Sequence, residues 1–103
     1  MENAFATRER QFEAKFAHDE AMKFRIRAHR DALFAAWVVD QMGDGAPPDY
    51  AESFVEFAPG HKPAELIAKA WQDLRNHGIA MADTKLRRAF EQFDDRAQAD
   101  IMR

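Results

Sequence analysis

The chain contains no cysteine, and that absence excludes a disulfide framework, a thiolate metal site and a cysteine nucleophile. Glycine and proline are scarce, four of each in 103 residues. Seven of those eight lie between Gly43 and Pro63 and the eighth is Gly78, so residues 1–42, 64–77 and 79–103 carry no backbone breaker. Long apolar runs are also missing. The longest, Ala32 to Val39, is far below the roughly 18 residues or more that span a bilayer. The N-terminus has charges scattered through Arg8, Glu9 and Arg10 and lacks the pattern of a signal peptide. A cytoplasmic location is the expectation, without direct membrane insertion. No excess of positive charge exists to draw the chain to nucleic acid, because the formal net charge is −3. The four glycines cannot form a phosphate-binding loop, and His18, His29, His61 and His77 are never three or four residues apart, so no metal or other cofactor is expected.

What is present is apolar and helix-forming. Nearly half of the residues are hydrophobic and nine are phenylalanine, too much apolar material for a disordered chain. At this length only one modest core is possible. Tyr50, Phe54, Phe57 and Ala58 repeat at helical spacing behind Pro47-Pro48 and predict a short helix. Pro63 suits a first helical position, and Leu66, Ile67, Ala70, Trp71 and Leu74 then form one apolar face. Gly78 followed by Ile79 predicts a left-handed C-terminal cap in which Ile79 packs back on Leu74. Asp83 is the expected N-cap of a last helix, whose apolar face is Leu86, Ala89, Phe90, Phe93 and Ala97. The fold class is therefore all-α: four helices, with a long first helix, a short second one and an antiparallel C-terminal pair.

The first helix is longer than its own core. From about Arg8 to Met42 it would extend about 52 Å, whereas helices of 15 to 18 residues reach only about 22–27 Å. The half that the partners cover is the second, where Ile26, Leu33, Phe34, Trp37 and Val38 make a wide apolar stripe. The first half has a narrow aromatic stripe, Phe5, Phe12 and Phe16, among polar residues. Two readings compete for it. In one, the segment is frayed when free and docks as a helix into a groove on another protein. In the other, the chain bends near His18 and the phenylalanines fold back on the bundle. Burying three phenylalanines contributes about 6–9 kcal/mol, and association costs about 4–15 kcal/mol, so tight docking also needs charged contacts. Arg8, Arg10 and Lys15 are the cations of that segment.

Other polar clusters read as surface. His18, Asp19 and Glu20 fan around a helix by about 100° each and cannot converge on one point. Lys23, Arg27 and Arg30 share a helix face with acids in pairing distance, which predicts ordinary surface ion pairs rather than a nucleic-acid site. Asp94-Asp95 with Asp100 lacks the glycine and glutamate of a calcium loop and also reads as surface.

The stretch Phe5 to Phe24, FATRERQFEAKFAHDEAMKF, resembles the N-terminal signature of the zeta inhibitor subunit of alphaproteobacterial F1F0-ATP synthases. The residues that carry the resemblance are Arg8-Glu9, Phe12-Glu13, Lys15-Phe16-Ala17-His18-Asp19-Glu20 and Phe24. It continues more weakly through Trp37 and Met42-Gly43 and again around Leu86-Arg87-Arg88. One departure is Ala6-Thr7, which stands where the family has an acid pair. A second is the tail from Asp94 onward, which diverges. The resemblance implies a four-helix, non-enzymatic regulatory subunit, monomeric when free and peripherally associated with the membrane-bound synthase. Residues 1–18 would form a mobile docking segment and residues 19–103 the bundle. The segment would insert as a helix between subunits of the F1 head, against catalytic alpha and beta and rotor gamma, and block ATP hydrolysis. Phe5, Arg8, Glu9, Phe12, Lys15 and Phe16 would be its contact face, with Arg10 as a further cation. The rival expectations are a helical interaction module with another partner, or an F1-bound subunit without inhibitory activity.

Overall fold

The structure, a computed structural model, describes the backbone of residues 4–102 and the side chains of residues 18–102. Four α-helices follow in order: α1 from Ala4–Met42, α2 from Tyr50–Phe57, α3 from Pro63–Asn76 and α4 from Asp83–Ile101, with a single 3-10 turn at Gly43–Gly45 after α1. The absence of breakers before Gly43 lets α1 run as one element. At a rise of 1.5 Å per residue it is about 58 Å long, and it dominates a molecule of 68 × 24 × 23 Å.

The loops end the helices as their glycines dictate. Gly43, at φ +68, terminates α1 in the left-handed region. Gly78, at φ +77, closes α3 with the two bonds of a Schellman motif: Ile79 N–H donates to Leu74 O at 2.9 Å and Gly78 N–H to Arg75 O at 2.9 Å. At the start of α3 the Glu65 carboxylate accepts the Lys62 N–H at 3.2 Å. A lysine side chain has no acceptor to return the favour, so only half of a capping box forms. The start of α4 differs from expectation. Ala82 is the N-cap, with Lys85 and Leu86 N–H both donating to its carbonyl. Asp83 instead occupies the first turn, where its charge complements the helix dipole and pairs with Arg87 at 2.9 Å.

The second half of α1 is the spine of the core, with α4 and α2 packed along it; α3 packs mainly on α4. Phe34 sits at the centre. Its ring meets Phe54 of α2 at 5.7 Å, edge-on, and Phe90 of α4 at 5.2 Å, edge-on, and stacks on Trp37 at 5.9 Å. Val38, Leu66, Leu74 and Leu86 are fully buried around this cluster. Phe57 departs from the expected face of α2. It lies at the end of the helix, partly exposed, stacked on His61 at 3.9 Å and capped by Lys69 at 4.9 Å.

Candidate docking surface

The residues predicted to contact a partner, Phe5, Arg8, Glu9, Arg10, Phe12, Lys15 and Phe16, all belong to the N-terminal part of α1. Their side chains lie outside the described residues, so nothing here tests the contact face. The backbone does bear on the fold-back reading. The helix is continuous through His18, and the chain makes no bend there.

Where α1 is described, its grip on the bundle starts late. His18, Asp19, Glu20, Ala21, Lys23, Phe24 and Arg25 are exposed, Met22 and Ile26 are half-buried, and the first fully packed positions are Arg30 and Asp31. Two polar links hold the helix at that point. Arg30, expected on the surface, is 8% exposed and lies over the Phe90 ring at 4.6 Å. Its Nε–H donates to Asp31 Oδ1 at 2.9 Å, and its Nη1 reaches Asp94 Oδ1 at 3.5 Å. One residue toward the N-terminus, His29 Nε2 hydrogen-bonds Asp100 Oδ2 at 2.9 Å. Both links run to α4, whose packing turns residues that read as solvated into cross-helix partners. Asp94 and Asp100 are therefore not idle surface acids. Burial of Asp31 raises its carboxyl above the usual range, against the opposing pull of Arg30. On the other side of the bundle, Tyr50 O–H donates to Asp73 Oδ2 at 2.7 Å, and burial pushes the phenol well above its ordinary value.

Beside the emerging helix lies a groove of about 700 Å³ between α1 and the α2–α3 loop, with Phe24, Arg27, Val55, Pro59 and Lys62 in its walls. Phe24 is 65% exposed. It is not among the residues predicted to contact a partner, which end at Phe16. The signal was available: Phe24 falls between Lys23 and Arg25, away from the apolar face that Ile26, Leu33, Phe34 and Trp37 direct to the core.

Among the described residues no group of acids and histidines could hold a metal ion, and no helix is long and apolar enough to cross a membrane. A helical bundle with one helix running far past its own core has the form of a protein that acts by contact with another. Comparison with known families makes the class specific. The chain belongs to the family described as ATPase inhibitor subunit zeta, which it matches over residues 1–100. A family of that description is regulatory rather than catalytic, and it implies interaction with the F1 part of ATP synthase. No curated protein and no solved structure matches the chain.

Proposed function

We propose that this protein inhibits ATP hydrolysis by the F1 head of an F1F0-ATP synthase, and that it does so by inserting the N-terminal part of α1, residues 1–18, at a catalytic interface. Residues 19–103 form the bundle that holds the helix and limits how far it enters. The observation that carries this reading is the mismatch in length. Among the described side chains the bundle engages α1 only from about Met22 onward, while the helix begins at Ala4. An amphipathic helix with no internal partner is the kind of element that docks in a groove of another protein. The aromatic residues Phe5, Phe12 and Phe16 would fill that groove between alpha, beta and gamma subunits, and Arg8, Glu9, Arg10 and Lys15 would supply the charged contacts. The free protein would be monomeric and peripheral to the membrane.

Replacement of an acid pair by Ala6-Thr7 favours a second reading, binding to F1 without strong inhibition, because it removes negative charge from the first helical turn. One experiment separates the two. Purified F1 from the source organism is titrated with the intact protein and with a form lacking residues 1–18, and ATP hydrolysis and co-sedimentation are followed together. The proposal expects inhibition by the intact protein alone. Equal inhibition by both forms would refute the plug, and binding without inhibition would select the second reading.

A further inference from the structure

The groove beside α1 has features that the bundle does not use. Of the two exposed phenylalanines among the described residues, Phe57 is covered by His61 and Lys69. Phe24 is 65% exposed and has no ring or cation partner among the described residues. Val55, Pro59 and Pro63 continue the apolar surface on the opposite wall. Arg27 on α1 and Lys62 on the loop flank this surface; neither is within ion-pair distance of an acid among the described residues, although Arg27 acts on the Asp31 carboxylate from a greater distance. The only acid in the lining is Asp31, and its carboxylate is already engaged by Arg30 at 2.9 Å. The groove is thus apolar along its floor and cationic at its rim. An occupant complementary to it has an apolar side chain next to a carboxylate.

We infer that this groove is a second contact for the partner of α1, taking an apolar segment of the F1 head that carries at least one carboxylate. The inference rests on the proposed function. Phe24 lies eight residues beyond Phe16 in the same helix, about 12 Å further along the axis. A partner that receives the N-terminal part of α1 therefore meets the mouth of the groove where the helix enters the bundle. Phe24 supplies the buried aromatic anchor, and Arg27 and Lys62 supply orientation and a salt-sensitive on-rate.

The test uses the full chain and purified F1, reading half-maximal inhibition and co-sedimentation in the same titrations. Phe24→Ala is expected to raise both half-points by about 10- to 50-fold. The double variant Arg27→Glu, Lys62→Glu is expected to raise them about tenfold and to flatten their dependence on salt. Arg88→Glu reverses an exposed charge on α4 that has no ion pair among the described residues, and should leave both unchanged. All four positions are exposed, so circular dichroism and melting temperature should stay native. If the groove variants act like the native protein while loss of residues 1–18 abolishes inhibition, the groove is no contact and the plug stands. Groove-dependent binding to F1 without inhibition would support the groove and sink the plug. A native protein that does not bind F1 at all overturns both. If Phe24→Ala instead shifts a native dimer to monomer in sedimentation, with F1 binding unchanged, the occupant is a second copy and the inference falls.

Discussion

Arg30 and Asp31 are neighbours in the chain, and each is almost wholly buried, at 8% and 5% exposure. Such a pair costs desolvation that its own attraction only partly offsets, and the raised Asp31 carboxyl is the record of that balance. A folded-state pKa above the unfolded one means a stabilising contribution that is complete below the unfolded value and is lost as pH rises through the folded one. Asp31→Asn removes this titration. Urea unfolding of both proteins should therefore show the native chain faring better relative to the variant near pH 4 than at pH 7. An advantage that grows with pH would mean that pairing with Arg30 outweighs burial. Tyr50 gives a simpler case. Its hydroxyl bonds Asp73, which also pairs with Lys69 at 3.1 Å, so Tyr50→Phe leaves the carboxylate with one partner. A loss of about 1–2 kcal/mol is expected from denaturant midpoints. Neither Arg30 nor Asp31 was recognisable as buried in advance. A charge on a helix goes inside only if a neighbouring helix crosses over it, and that crossing is not a local property.

Among the helices, α3 was the most legible. Pro63 at its first turn, one apolar face and Gly78 after its last turn are local signals that agree. Its C-terminal cap gives a prediction. A Cβ at Gly78 would meet nothing within 4 Å, so Gly78→Ala costs only the left-handed backbone, about 1–2 kcal/mol. Gly45→Ala is the contrast, with equal open space and no positive φ, and should be neutral or slightly stabilising. Melting curves of the two variants suffice. Equal effects would show that the Gly78 turn is not held left-handed in solution. The start of α4 was misplaced by one residue for a physical reason. Asp83 serves equally as a cap or as a first-turn acid, and its pairing with Arg87 settles it inside the helix.

At the scale of the molecule, one continuous α1 joins its N-terminal part to the bundle core at Phe34. Transmission through that helix is testable by breaking it ahead of the bundle. Ala21→Pro lies in an exposed turn before the first packed residues, and proline there removes a helical hydrogen bond and kinks the chain. The bundle should unfold at its native denaturant midpoint while inhibition of F1 weakens at least tenfold. An inhibitory potency equal to native would mean that the segment acts as a free tether. The all-helical class, the four segments, the overlong first helix and the core faces of α3 and α4 were determined by the sequence alone, because breaker placement and 3.6-residue periodicity are properties of the chain itself. Only the tertiary structure decided that α4 buries Arg30 and recruits Asp94 and Asp100, and that a groove opens beside Phe24. Those outcomes depend on which helix faces meet, and at what angle, across residues far apart in the chain.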